Sequence, residues 1–331
     1  DWNKFVIMNK LLLKTFVVIL SLFLSFSALA QDPEFSQFYA NPLYLNPAFA
    51  GSNNCPRISM NYRNQWPALS GSFVTQSVSY DQRLGYNKGA GIGLLVTNDI
   101  AAQTLTTFNA SGIFSYHLAV NRKFAIRVGF QATYFEKSLD WDKLTFEDQI
   151  DSRRGFVYTT ADRPNNTGKK SGVDFSGGIL GFSKTFFFGV AVHHVTEPDQ
   201  SLVVSDNGNL PMKITGHAGA VIPLRKSKYK KSSTTISPNI LYRRQANFQQ
   251  LNLGVYVNKG PLWTGVWYRN GDAFIVLVGI QTDLFRIGYN YDVTTSQLTT
   301  ASGGSHELSF GLNFTCKPPK KKYRTISCPS F

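Results

Sequence analysis

Ile126-Arg127-Val128-Gly129-Phe130-Gln131-Ala132-Thr133-Tyr134 alternates apolar residues with polar or small ones throughout. Successive side chains of a strand point to opposite faces, so this stretch reads as a strand with one apolar face. The same period of two returns at Leu251, Leu253, Val255 and Val257, which alternate with Asn252, Gly254, Tyr256 and Asn258. It returns again from Phe285 to Tyr291 and from Leu308 to Phe314. No segment holds a sustained helical period. A soluble sandwich would share the alternation with shorter strands. Here the runs cover about nine to thirteen residues, the length a tilted strand needs to cross a bilayer. Tyr62, Trp66, Tyr80, Tyr134, Trp141, Trp263, Trp267 and Tyr291 fall near strand ends, where interfacial aromatic girdles belong. The expected fold class is all-β: a transmembrane outer-membrane β-barrel.

About fourteen such strands are expected, an even number as in bacterial outer-membrane barrels. They begin near Arg57, Phe73, Gly89, Thr104, Lys123, Gly172, Phe186, Met212, Thr234, Gln249, Leu262, Ala273, Leu284 and Ser305. If the chain enters from the periplasm, connections after even strands should be short turns and those after odd strands long loops. Asn121-Arg122, Lys184-Thr185, Asn258 to Gly260 and Gln281 to Asp283 are short and follow even strands. The long stretches 139–171, 196–211 and 292–304 follow odd ones. The last strand, Ser309-Phe310-Gly311-Leu312-Asn313-Phe314-Thr315-Cys316, also resembles the terminal signal by which such barrels engage their assembly machinery.

Ahead of the strands lies an export signal. Met8 reads as the start, Lys10 and Lys14 as its positive region, and Phe16 to Phe26 as an apolar core of about eleven residues. Ala28-Leu29-Ala30 is a small-residue cleavage site, which predicts a mature chain from Gln31. Residues 31–56 then carry two Asn-Pro turns, Asn41-Pro42 and Asn46-Pro47, among Phe35, Phe38, Tyr39, Tyr44 and Phe49. Proline cannot donate to a ladder, and these aromatics carry too much apolar surface to stand in water. The segment is expected to pack inside the barrel or at its periplasmic mouth, ahead of a barrel over 57–316 and a basic periplasmic tail over 317–331.

The formal charge is +14; removing Lys4, Lys10, Lys14 and Asp1 with the signal leaves +12. No linker or low-complexity tract divides the mature chain.

One set of motifs is shared with a known family: Gln31 to Phe38, Asn46-Pro47-Ala48-Phe49-Ala50-Gly51 and Tyr62-Arg63-Asn64-Gln65-Trp66-Pro67. It continues with His193 to Ser201, His217-Ala218-Gly219, Ser237-Pro238-Asn239, Gln249 to Gly254, Ser305 to Ser309 and Cys328-Pro329-Ser330-Phe331. On these residues the chain resembles the PorP/SprF family of type IX secretion system membrane proteins. The resemblance implies an outer-membrane protein that works with type IX secretion components and a secreted surface protein, often a gliding adhesin. The alternative function is a passive channel for small solutes.

No catalytic constellation stands out. His193-His194 with Glu197 and Asp199 contains metal-ligand types, but neighbours on a strand face opposite ways. His306-Glu307 lacks the second histidine of a helical zinc motif. Gly89, Gly91 and Gly93 lack a following helix to bind phosphate, and relieve crowding on one barrel face instead. Asp140, Asp142, Glu147, Asp148 and Asp151 form an acidic outer loop without calcium-loop spacing. No cofactor, metal or enzymatic activity is expected. Nucleic acid is not an expected partner for an exported barrel; outer-membrane lipids are. Arg225, Lys226, Lys228, Lys230, Lys231, Lys320, Lys321, Lys322 and Arg324 gather on the periplasmic side. They suit either a lipid-phosphate rim or a docking face for an acidic partner. Of the three cysteines, Cys55 and Cys316 flank the first and last strands, which are neighbours at a closed seam, while Cys316 with Cys328 is the competing pair.

Overall fold

The computed structural model describes residues 32–53, 55–84, 89–151, 153–160, 168–202, 208–225, 234–295 and 303–316. Each strand pairs antiparallel with its neighbours in sequence. The first seven are β1 (Arg57–Gln65), β2 (Phe73–Arg83), β3 (Ala90–Ala101), β4 (Leu105–Ala119), β5 (Ala125–Leu139), β6 (Lys169–Phe182) and β7 (Phe186–His193). Strand β8 runs in two parts, Lys213–Ala220 and Ile222–Arg225, which both pair with β9 (Thr234–Gln245). The remaining five are β10 (Phe248–Lys259), β11 (Leu262–Arg269), β12 (Ala273–Gln281), β13 (Phe285–Thr294) and β14 (Ser305–Asn313). Strand β14 pairs with β1 in unbroken register from Arg57↔Asn313 to Gln65↔Ser305, so the sheet closes into a fourteen-stranded barrel.

Closure inverts the usual distribution of polarity. On β1, Met60 and Tyr62 are exposed on the outer wall, while Ser59, Asn61 and Arg63 are buried inside. On β5, Val128, Phe130 and Tyr134 face outward and Arg127, Gln131 and Thr133 face inward. An apolar wall repeated on every strand is far larger than a soluble monomer exposes, and it matches the lipid-facing band of an outer-membrane barrel.

Connections sort by length onto opposite ends. After odd strands come residues 140–168, 194–212 and 295–304, at what we call the loop end. After even strands the barrel mostly turns in a few residues, as at Gly260-Pro261 and Thr282 to Leu284; this is the turn end.

Two expectations change. Strand β6 starts at Lys169 rather than near Gly172, because Lys137↔Lys170 and Ser138↔Lys169 extend the β5 ladder past the apolar band. Alternating hydrophobicity marks where lipid ends, not where hydrogen bonding ends. Trp263 and Trp267 are 2% and 0% exposed and line the interior, so they do not belong to an interfacial girdle. They share the inward parity of Gly265 and Arg269, whereas Val266 and Tyr268 take the outward positions.

Candidate functional site

The interior is occupied by the chain's own residues 33–53. Asn41-Pro42 starts a single helical turn, α1 (Pro42–Leu45), with proline in the first turn, where its missing N–H costs nothing. Asn46-Pro47 starts a 3₁₀ turn over Pro47–Phe49, and the Asn46 side chain accepts from the Ala48 N–H at 2.9 Å. The two turns let a segment with no strand partner satisfy its backbone locally while filling the lumen.

Its aromatics meet the inner wall. Phe38 packs edge-on to Trp267 at 4.8 Å between ring centroids, and the Arg243 guanidinium lies over the Phe38 ring, 5.2 Å from its centroid. Tyr39 meets Phe187 edge-on at 5.5 Å, and Phe49 stacks on His217 at 5.5 Å. Phe35 stands edge-on to Tyr44, whose hydroxyl donates to the Pro33 carbonyl, and the Lys213 ammonium lies over the Tyr44 ring. Inward glycines make the room. A Cβ on Gly93 would come within 2.9 Å of Leu43, and one on Gly129 would collide with the backbone of Pro47 and Ala48.

A charged cluster holds the upper part of the segment at the loop end. The Glu307 carboxylate accepts the backbone N–H groups of Ser36 at 2.6 Å and Gln37 at 3.2 Å. Arg63 donates to Ser36 Oγ, to Asp292 at 2.9 Å and to Glu307 at 3.4 Å. Arg269 donates to Ser36 Oγ at 2.8 Å, and Arg243 pairs with Glu34 at 3.0 Å. Arg63, Asp292 and Glu307 have side chains at most 2% exposed, so each charge depends on its partners. At the turn end the Ala50 carbonyl accepts from Ser115 and Arg127, and the Gly51 N–H donates to Asp81.

Cys55 and Cys316 form a disulfide with Cα atoms 5.6 Å apart, at the turn end of the β1–β14 seam. Cys328 lies outside the described residues, as do Lys226, Lys228, Lys230, Lys231, Lys320, Lys321, Lys322 and Arg324; Arg225 closes the second part of β8. Strand β7 ends at His193, and His194 takes a left-handed backbone with Nδ1 2.7 Å from Asp174. The pair therefore does not share one strand, as the sequence suggested. His306 lies on the outer wall beside Tyr289, while Glu307 turns inward. Among the described residues no three His, Cys, Asp or Glu side chains group to hold a metal ion.

In the acidic loop, Asp151 accepts from the backbone N–H groups of Arg153 and Arg154, which hold its carboxyl below the usual range. In the connection after β7, Asp199 is held low by hydrogen bonds from the Lys170 ammonium and the Ser201 N–H. Both carboxylates thus have local donors.

The cluster of Glu34, Arg63, Arg243, Arg269, Asp292 and Glu307 carried no signal in the sequence beyond charges at inward parity. Charged residues on the polar phase of an otherwise apolar strand mark a filled or wet lumen, but not which of them meet.

A closed fourteen-stranded barrel with an apolar outer wall and a folded-in segment defines an integral outer-membrane β-barrel protein. The sequence model described as "Type IX secretion system membrane protein PorP/SprF" matches residues 27–312, and the chain belongs to that family. Its family and fold are those of a secretion-associated membrane protein rather than an enzyme class. No curated protein sequence matches the chain. Among solved structures it is similar to a KdgM porin at 9% identity, covering 78% of this chain and 99% of that one, with a TM-score of 0.38. A Pseudomonas aeruginosa FadL homologue aligns at 11% identity over 82% and 93% of the two chains, with a TM-score of 0.41. BamA from Haemophilus ducreyi lacking POTRA domains 1-3 aligns at 10% identity over 79% and 71%, with a TM-score of 0.36.

Proposed function

We propose that this barrel assists the secretion or surface anchoring of a cargo protein, such as a gliding adhesin, in concert with other type IX secretion components. The observation that carries the reading is the filled lumen. A channel for small solutes needs a continuous wet path, whereas Phe38, Leu43, Ala48 and Ala50 are all at most 2% exposed within this interior. With its lumen given to its own chain, the barrel is suited to hold partners at its mouths rather than to pass solutes. Deleting the gene should remove a specific protein from the cell surface and leave general outer-membrane permeability normal. Normal surface display with impaired uptake of a nutrient would replace this reading with the channel.

A further inference from the structure

The segment inside the barrel has a direction, and it fixes which face of the membrane meets each end of the chain. Glu34 and Ser36 bind Arg243, Arg269, Asp292 and Glu307, all within three residues of strand ends at the loop end. Gly51 binds Asp81, two residues from the turn end of β2, and Asn53 donates to Asn313, the last residue of β14. Residues 34 to 53 therefore traverse the lumen from the loop end down to the turn end. In an outer-membrane barrel the long loops face the cell exterior and the short turns face the periplasm.

We infer that the mature amino terminus faces the outside of the cell, on the opposite side of the membrane from Cys316. Cleavage after Ala30, the site the sequence predicts, leaves only Gln31 and Asp32 ahead of Pro33. Two extended residues reach about 7 Å, too little to return through an apolar band about 25 Å tall. Pro33 itself is tied at the loop end by the Tyr44 hydroxyl. A partner that contacts the amino terminus does so from outside, as part of the same face as the long loops. A periplasmic partner meets the disulfide and the short turns.

The test uses the full-length protein in intact cells. An Asp32→Cys, Cys328→Ser variant should react with a membrane-impermeant maleimide-polyethylene glycol on intact cells, with no further gain after permeabilisation. A short epitope inserted between Asp32 and Pro33 should likewise bind antibody on intact cells, while one appended after Phe331 should require permeabilisation. Heat-modifiable migration verifies that each variant is a folded barrel, and mass spectrometry of the purified protein locates the mature terminus independently. Reaction of the introduced thiol, or recognition of the inserted epitope, only after permeabilisation would overturn the inference. If the thiol reacts in neither state, the epitope decides.

Discussion

The Glu307 carboxylate accepts the Ser36 backbone N–H at 2.6 Å across 271 residues of sequence, tying the last strand to the segment inside the lumen. The same carboxylate faces Arg63 on the first strand at 3.4 Å. One side chain thus links the segment, β1 and β14 at the loop end of the seam, the end opposite the disulfide.

Glu307→Ala should therefore loosen both the segment and the seam. Removing one member of a buried pair leaves the other charge uncompensated, at a cost of about 3–5 kcal/mol. The expected result is a lower temperature for loss of heat-modifiable migration. Ser36→Ala should cost less, and the double variant less than the sum, because the two share one network. Additive effects would mean that the Ser36 hydroxyl and Glu307 are not coupled through Arg63, to which both bind.

Phe38 and Tyr39 are 2% and 5% exposed, so replacing both with Ser opens space at the centre of the lumen. Large-to-small changes of this kind cost about 3–5 kcal/mol for a buried aromatic. Lower barrel stability, or a gain of ionic conductance in planar bilayers, is expected, together with sensitivity to bulky antibiotics. Unchanged melting, conductance and partner recovery would show that the segment does not keep the lumen shut.

Reading period-two alternation reveals the strands, their number and their outward faces, because lipid demands apolar residues at alternate positions and tolerates few exceptions. The inner face obeys no such rule. Trp263 and Trp267 look from sequence like girdle residues, since an aromatic near a strand end suits an interface equally well. Only the register, with Gly254 opposite Trp267, assigns that ring to the lumen. Glu34, Arg63, Arg243, Asp292 and Glu307 are likewise separate charges in the sequence. They become one cluster only when barrel closure sets β1 beside β14 and the segment lies across both.

The disulfide supports a prediction at the other end of the seam. It joins residues separated by 261 positions, so in the chain-entropy model it restricts a very long loop and could contribute about 5 kcal/mol. Cys55→Ser should lower the melting temperature of the oxidised protein to that of the reduced wild type. Non-reducing peptide mapping should recover a Cys55–Cys316 crosslink. Recovery of Cys316–Cys328 instead would remove the clasp, leaving the β1–β14 ladder to close the barrel unaided.

Gly129 offers the most direct control of the lumen. It lies on the inner face of β5, where a Cβ would collide with the backbone of Pro47 and Ala48. Backbone held in a 3₁₀ turn cannot yield as a flexible side chain can, so the 3₁₀ turn must move or β5 must distort. Outward-facing side chains of β5 are untouched, and valine favours a strand, so the barrel itself should still form. Gly129→Val is therefore expected to displace the segment without abolishing the barrel. Two readouts check it: protease should gain access to residues 33–53 in purified protein, and single-channel conductance should rise above wild type. Gly112→Val serves as the companion variant, because a Cβ there meets nothing within 4 Å. It should leave both readouts at the wild-type level. If Gly129→Val matched it, close packing of the 3₁₀ turn against β5 would not be what holds the segment in place.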